Sequence, residues 1–184
     1  MKQLNIGVLV GSLRKDSFNK KTARALMANA PDHLNFEIIE IGDLAHYSED
    51  AEANVPVAWA AFREKIKSKD AFLFVTPEYN RSVPSVLKNA LDVASRPWGH
   101  NLWDGKPAGI VSVSIGAIGG FGANHHLRQS LVFLNVATMP QPEAYIGNAA
   151  SLFDDEGHVI NDHTKEILAN YMQAYTAWVE KHVL

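Results

Sequence analysis

The chain has 184 residues, 47% of them apolar and 20% charged, which suits one globular domain with a core of its own. Its net charge of −3, from 17 Lys and Arg against 20 Asp and Glu, argues against a nucleic-acid-binding protein and falls short of the acidity of a dedicated electron-carrier partner. The absence of cysteine excludes disulfides, Cys-ligated zinc, iron–sulfur clusters and a thiol nucleophile.

No targeting or membrane segment is predicted. The three residues before the first strand pattern are too few for a signal peptide, and no apolar run approaches the ~18 residues that span a bilayer. We therefore expect a cytoplasmic protein with neither a membrane nor a nucleic acid as its partner.

Strands and helices alternate along the chain. Short apolar runs rich in β-branched and aromatic residues predict strands, and apolar residues at helical spacing behind Ser or Pro predict helices. In chain order we predict a strand over 4–10, a helix over 18–29, a strand over 36–41, a polar loop over 42–55, a helix over 56–68, a strand over 71–75, a helix from Pro84, a strand over 107–114, a helix over 123–135, a short strand near 143–146 and a helix over 162–182.

This alternation predicts an α/β fold, in a single domain over residues 1–184. The expected architecture is a flavodoxin-like three-layer sandwich, with a five-stranded parallel sheet in the order 2-1-3-4-5 and helices on both faces. Ligands of such sheets bind beyond the carboxyl ends of the strands, near the switch point between strands 1 and 3. The loops that follow Val10, Val75 and Ser114 are therefore the candidate binding loops.

The first of these, loop 1 (residues 11–19), has the features of an anion site. It leads from a strand into a helix, whose free N–H groups and dipole attract negative charge. Ser12, Ser17 and Asn19 add short polar side chains, and Arg14 adds a charged fork. The loop lacks both GxGxxG and GxxxxGK[ST], which disfavours a Rossmann-type NAD site and a P-loop nucleotide site. A Ser-capped helix start without any ligand explains the loop equally well.

The other two loops have features that suit a flat ring. In loop 2 (residues 76–84) two prolines stiffen the backbone, whose amides could bond the polar edge of a ring while Tyr79 packs beside it. In loop 3 (residues 114–122) four glycines allow close approach to a flat ligand. Taken singly, each loop could be an ordinary connection. Their shared position at the ends of strands 1, 3 and 4 favours one common site.

The three loops together resemble the NADPH-dependent FMN reductase family, and within it the bacterial quinone and chromate reductase branch. The resemblance covers roughly residues 4–146, with a compatible final helix. It rests on Gly11-Ser12-Leu13-Arg14 with Ser17 and Asn19, on Thr76-Pro77-Glu78-Tyr79-Asn80 with Ser82, Pro84, Leu87, Lys88, Asn89 and Ala90, on Ser114 through Gly120, on His126-Leu127-Arg128-Gln129 and on Pro142-Glu143.

The resemblance implies a non-covalently bound FMN, with NADPH or NADH as the electron donor. Flavin N5 would carry the chemistry, so no catalytic side chain and no metal ligand are expected. By resemblance, the expected FMN-binding residues are Ser12, Arg14, Ser17, Phe18 and Asn19 around the phosphate, Pro77, Glu78, Tyr79 and Asn80 beside the isoalloxazine ring, and Ser114, Gly116, Gly119 and Gly120 over its other side.

The expected activity is a two-electron, ping-pong oxidoreduction from NAD(P)H to a small-molecule acceptor. Quinones are the first candidates, followed by free flavins, azo and nitro compounds, and chromate. Departures from the family at Val93, in residues 121–125 and in the 96–105 loop lie where substrate would enter, so they leave the acceptor open. The alternatives are a non-enzymatic flavodoxin-type electron carrier and a flavin-free signalling domain. The latter is disfavoured because no acidic cluster accompanies the first strand.

The resemblance also implies a homodimer or homotetramer whose active site is partly shaped by a neighbouring subunit. The predicted helix over 123–135 carries more apolar residues than one buried face needs, which favours a subunit interface. Leu127, Leu131 and Leu134 form the core stripe, Val132, Phe133 and Val136 the excess, and Arg128 with Glu143 a candidate ion pair within or between subunits.

Two further features are given structural interpretations. Adjacent residues of a helix point about 100° apart, so His125 and His126 are a poor chelating pair. Tyr47 lies with Glu49 and Asp50 in the polar loop after the second strand, which we interpret as a solvated loop rather than as part of a partner's active site.

Overall fold

One sheet of six strands forms the centre of the computed structural model, which describes residues 2–183. Two short 3-10 helices, Glu49–Asn54 and Ala149–Ser151, lie in the connections. The strands are β1 Leu4–Val10, β2 Leu34–Ile38, β3 Ala71–Thr76, β4 Pro107–Val113, β5 Ala137–Thr138 and β6 Ala144–Ile146. The helices are α1 Phe18–Ala28, α2 Val57–Lys67, α3 Ser85–Ala94, α4 Phe121–Phe133 and α5 Asp162–Val183.

The sheet is parallel and runs in the order β2-β1-β3-β4-β5, with β6 also paired to β4, so the flavodoxin-like prediction is confirmed. Val10 pairs with Val75 at the end of β1 and β3, and Thr76 pairs with Ser112 at the end of β3 and β4. The loops after β1, β3 and β4 therefore leave the sheet from one edge.

The fifth strand position differs from the prediction because two short strands share it. β5 pairs with the start of β4 at Pro107 and Ala108, and β6 pairs with its end at Val111–Val113. Pro140 and Pro142 lie between the two strands and have no N–H to donate, so a continuous ladder cannot form there.

The second strand also ends earlier than predicted. The ladder with β1 closes at Val8 and Ile38, whereas the prediction ran to Ile41. The Ile39 amide still donates to the Val8 carbonyl at 2.9 Å. Ile39 and Ile41 are both buried beyond the ladder, so their apolar character reflects core packing.

Helices cover both faces of the sheet. β1 alternates, with Leu4, Ile6, Val8 and Val10 in a cluster with α1 and α5, whereas Leu9 packs in a second cluster with α2, α3 and α4. This alternation follows from the period of two along a strand, and it gives the three predicted layers. None of the helices within residues 2–183 has the length and apolarity to cross a bilayer.

Candidate functional site

The three candidate loops meet above the carboxyl ends of β1, β3 and β4. A side chain at Gly11 in loop 1 would have its Cβ 3.1 Å from the Pro77 ring of loop 2. A side chain at Gly120 in loop 3 would have its Cβ 3.6 Å from the Cβ of Glu78. Loop 2 therefore lies between the other two, as the strand order requires, and the predicted site residues are brought to one edge.

Loop 1 presents a helix start that lacks an acidic partner. Ser17 caps α1 through a 3.2 Å bond from the Lys20 amide to its Oγ, and the first turn holds no Asp or Glu. The N–H groups of Phe18 and Asn19 lie in that first turn, where helical bonding leaves them free. A helix end of this kind attracts a phosphate.

Buried polar side chains surround this helix start. Ser12, Ser17 and Asn19 are all buried, and Asn19, only 5% exposed, has an Oδ1 atom without a hydrogen-bond partner among residues 2–183. Such an orphaned group is costly unless something binds it. An Asn amide can turn to present either oxygen or nitrogen, so Asn19 can donate to a phosphate oxygen. The residues of loop 1 therefore fit a phosphate group.

The remaining charges of loop 1 leave a positive balance near the helix start. Arg14 is exposed. Asp16 forms a 2.8 Å ion pair with Lys21, whose hydrogen bond and charge lower the pKa of that carboxyl group. Phe18 stacks its ring on Phe153 with 6.1 Å between centroids, so it supports the loop from the core side and can offer a ligand its backbone amide.

Loop 2 contains a tight turn with unusual backbone angles. Tyr79 and Ser82 exchange backbone hydrogen bonds of 3.0 and 2.9 Å, and the two residues between them, Asn80 and Arg81, have φ of 51° and 62°. The Tyr79 amide is consumed by this turn, which leaves the N–H groups of Glu78 and Asn80 to bond a ring. The Tyr79 side chain is exposed beside them.

The carboxylate of Glu78 is occupied by protein groups. Its Oε2 accepts the Ala123 amide of α4 at 3.1 Å, and its Oε1 accepts Arg81 Nη1 at 3.0 Å. The side chain of Glu78 therefore connects loop 2 to α4. Its backbone remains available to lie beside a ring, as predicted.

Loop 3 has two different pairs of predicted residues. Ser114, whose Oγ accepts the Gly116 amide at 3.1 Å, lies with Gly116 near the surface, whereas Gly119 and Gly120 are buried. Gly119 and Gly120 have φ of 61° and 77°, and a Cβ on Gly119 would lie 2.6 Å from the Tyr145 backbone. The buried pair shapes the turn, which leaves the outer pair to face a ligand.

The three loops are surrounded by an exposed apolar surface, and this surface was not predicted from the sequence. Each loop turns at least one large apolar side chain towards solvent, a placement that costs free energy unless a ligand or partner covers it. The only sequence signal was the presence of such residues inside loops. The exposed apolar residues of this surface are Leu13, Tyr79, Ile115, Ile118 and Phe121.

A groove of about 1100 Å³ lies between α3 and α4 and borders the turn of loop 2. Its walls include Ser82, Lys88, Arg96, His126 and Phe133. This groove was not predicted, because it depends on how two helices distant in sequence pack side by side.

The two adjacent histidines of α4 have different partners. The 2.9 Å contact of His125 Nε2 is to the Tyr145 hydroxyl, and that of His126 Nδ1 is to Ser82 Oγ. Burial and a hydrogen bond to Glu143 raise the pKa of Tyr145 to about 12. Within residues 2–183 no three His, Asp or Glu side chains come together as a metal site would require.

The candidate ion pair between Arg128 and Glu143 does not form within the chain. Arg128 instead bonds Asn124 Oδ1 at 3.0 Å and the Met139 carbonyl at 2.9 Å. Glu143 lies 3.9 Å from His125 Nε2. Arg128 therefore connects α4 to the segment after β5, a contact between backbone and side chain that residue types alone do not reveal.

The loop over residues 42–55 is largely exposed, as a solvated loop should be, and it is anchored to the core side at Tyr47. The Tyr47 ring stacks on Trp59 with 5.3 Å between centroids, and the Tyr47 amide donates to Asn89 Oδ1 at 2.8 Å. Asn89 Nδ2 also donates to the carbonyls of Leu44 and Ala45. Burial and the nearby Glu52 and Glu49 raise the pKa of Tyr47.

Comparison with known proteins agrees with this geometry. The family model described as NADPH-dependent FMN reductase matches residues 4–151. A quinone reductase from Pseudomonas putida is 59% identical over 177 residues, which cover 96% of this chain and 95% of that protein. A 2-hydroxy-1,4-benzoquinone reductase from a Burkholderia species is 48% identical over 176 residues, which cover 96% of each.

One solved structure has the same fold over nearly the whole chain. The flavoenzyme NAD(P)H:(acceptor) oxidoreductase FerB from Paracoccus denitrificans superposes with a TM-score of 0.92 at 41% identity, covering 98% of this chain and 100% of that chain.

Proposed function

Because this chain belongs to the NADPH-dependent FMN reductase family, and is therefore an FMN-containing oxidoreductase with a NAD(P)H donor, we propose that it passes two electrons from NAD(P)H to quinones. The observation that carries the proposal is the placement of the three loops at one sheet edge, with a phosphate-type helix start at one end and exposed apolar side chains around the rest.

The residues of the site divide the binding of FMN into two parts, the phosphate and the ring. The first-turn amides of α1, with Ser12, Ser17, Asn19 and Arg14, would hold the phosphate. The backbone of Pro77 through Asn80 and the outer part of loop 3 at Ser114 and Gly116 would border the ring. When bound, FMN supplies the hydride and electron chemistry at its N5 position, and the protein supplies position and electrostatics.

Quinones suit the surface that these loops leave open. They are flat, largely apolar and small, so they can pack among exposed side chains such as Tyr79, Ile115 and Phe121. The Pseudomonas putida and Burkholderia relatives, at 59% and 48% identity, are both named for quinone reduction. Free flavins, azo and nitro compounds and chromate are further acceptors to compare.

We propose a ping-pong order, because donor and acceptor would use the same apolar surface in turn. The nicotinamide product would then leave before the acceptor enters. Steady-state rates measured at several fixed quinone concentrations should give parallel double-reciprocal lines, whereas intersecting lines would show that both substrates bind together.

The activity itself is tested on the purified protein. Flavin identification by its absorbance and mass should find FMN, and oxidation of NADPH and NADH should depend on an added quinone, with NADPH preferred. Stable flavin reduction with no turnover on any acceptor would favour an electron carrier. A colourless protein that acquires no flavin absorbance with added FMN would overturn the proposal.

A homodimer or homotetramer is the second part of the proposal. Leu127 and Leu131 are buried in the core as predicted, and Val136 is also buried, so it does not add to the outer surface. Val132 and Phe133 remain 73% and 71% exposed on α4 beside the groove. Light scattering at micromolar concentration should give a mass of two or four chains, and a mass near 20.3 kDa would contradict it.

A further inference from the structure

The turn over residues 79–82 is held in an unfavourable conformation by contacts outside itself. Asn80 tolerates a left-handed backbone, but Arg81 has a Cβ that opposes its φ of 62°. The position that Arg81 occupies in such a two-residue turn is the one that favours Gly. The conformation must therefore be stabilised from its surroundings.

Helix α4 provides these contacts at three points. The Glu78 carboxylate, whose side chain is 10% exposed, accepts the Ala123 amide at 3.1 Å and pairs with Arg81 at 3.0 Å. Gly122 lets the Arg81 carbonyl approach so closely that a Cβ there would lie 2.7 Å from its oxygen. One turn further along α4, His126 is 2.9 Å from Ser82 Oγ.

Among these contacts, the Glu78 carboxylate is the one that bonds both Arg81 within the strained turn and the amide of Ala123 at the helix start. Its carboxylate lies at the positive end of α4, whose N-cap is Gly120 with no side-chain hydrogen bond of its own. A carboxylate at that place satisfies a free amide and interacts favourably with the helix dipole. One side chain therefore satisfies the helix and immobilises the turn at once.

We propose that Glu78 is a positioning residue that holds the N–H groups of Glu78 and Asn80 in place for the flavin, by fastening the strained turn to α4. This inference rests on the proposed function, since it assumes that loop 2 borders the ring. Fixed N–H groups stabilise negative charge better than mobile ones, because they need no reorganisation. Reduction adds negative charge to a bound flavin. Loss of the bond between Glu78 and α4 should therefore weaken binding of the reduced form more than binding of the oxidised form.

The test compares Glu78→Ala and Glu78→Gln with Glu64→Ala, a matched loss of an exposed glutamate on α2. In Glu78→Ala, FMN release on dilution of the flavin-loaded protein, followed by fluorescence, should reveal roughly tenfold weaker binding. The two-electron midpoint potential should fall by about 30 mV, which corresponds to a further tenfold loss of affinity for the reduced flavin beyond the loss for the oxidised form. Glu78→Gln keeps an oxygen that can accept the Ala123 amide, so it should retain most of the wild-type FMN affinity and midpoint potential. Glu64→Ala should match the wild type in both.

The outcomes separate this inference from the proposed function. If the wild type binds FMN and turns over quinone while Glu78→Ala changes FMN affinity by less than twofold and the potential by less than about 10 mV, the inference is overturned and the function stands. Equal losses in Glu78→Gln and Glu78→Ala would also overturn it. If Glu78→Ala does not fold, Glu78→Asp, one methylene too short for the Ala123 amide, should show the same direction of change. A Glu78→Asp protein with wild-type binding and potential would contradict the inference.

Discussion

At the scale of single residues, part of the candidate site could be predicted from the sequence and part could not. The motif around Ser12, Ser17 and Asn19 identified the phosphate-type loop, and the structure buries all three side chains at the start of α1. The orientation of Glu78 could not be read in the same way. Its carboxylate bonds Ala123, 45 residues further along the chain, and only the folded sheet brings them together.

The Asn19 side chain should lower the stability of the flavin-free protein and strengthen the binding of FMN. Replacing its buried, unpartnered amide in Asn19→Leu removes the cost of an unsatisfied polar group, so the flavin-free protein should gain about 1 kcal/mol in free energy of unfolding. FMN affinity should fall at least roughly tenfold, because a donor to the phosphate is lost. Urea unfolding and FMN titration measure the two effects.

The control for this prediction is Gln173→Leu, which places the same side chain at an exposed position of α5. It should leave FMN affinity unchanged. Loss of stability in Asn19→Leu together with unchanged FMN binding would show that Asn19 serves packing rather than the ligand.

At the scale of whole elements, α5 is fastened beneath the sheet by two buried phenols. Tyr171 donates to the Ile110 carbonyl at 3.0 Å and Tyr175 to the Phe72 carbonyl at 2.9 Å. Both rings cross β4 at Gly109, where a Cβ would lie 2.6 Å from the Tyr171 hydroxyl oxygen. A glycine is therefore required at position 109 by the tyrosines of α5 that pack against it rather than by its own backbone angles.

Gly109→Ala should therefore destabilise the protein by overpacking, by roughly 1–3 kcal/mol in urea unfolding. Removing the opposing hydroxyl in Tyr171→Phe should make the same substitution less costly, so the two changes should be non-additive. Additive losses across the double-mutant cycle would show that the Tyr171 hydroxyl is not what obstructs the new methyl group.

Lys106 closes the carboxyl end of α2, where its Nζ donates to the carbonyl of Ile66 at 2.7 Å and to that of Lys67 at 3.2 Å. Burial lowers the pKa of this lysine from 10.5 to about 8. Between those two values the folded protein has released a proton that the unfolded chain still binds, so stability rises with pH in that window.

Comparison of the wild type with Lys106→Met isolates this effect from that of Tyr171 and Tyr175, because burial raises the pKa of these tyrosines in both proteins alike. The wild type should gain stability relative to the variant between pH 8 and 10.5. The gain should be on the order of 1 kcal/mol, since the side chain is partly solvated. A difference that stays flat or falls with pH would show that attraction of the cation to the helix end outweighs its burial.

At the scale of the whole molecule, α4 has an inner face in the core and an outer face that the chain itself does not cover. Phe133 is 71% exposed there, so a charge at that place should disrupt the proposed subunit interface. Phe133→Glu should give a monomeric mass by light scattering at a concentration where the wild type is oligomeric. Val57→Glu, at a still more exposed apolar residue on α2, should retain the wild-type mass.

A wild-type mass unchanged in Phe133→Glu would place the interface elsewhere. Quinone reductase activity provides a second measurement, because a neighbouring subunit is proposed to shape part of the active site. Loss of activity together with the monomeric mass would connect assembly to function, whereas full activity in a monomer would show that one chain holds the complete site.

The sequence alone determined the alternation of strands and helices, the strand order and the position of the three candidate loops, because these depend on local apolar patterns and on motifs of adjacent residues. It also identified the family and its FMN cofactor. Tertiary structure alone decided that residues 137–138 and 144–146 share one sheet edge, that the 42–55 loop is anchored by Asn89, and that Glu78 bonds α4. Each of these depends on contacts between residues far apart in the chain, which neither periodicity nor spacing encodes.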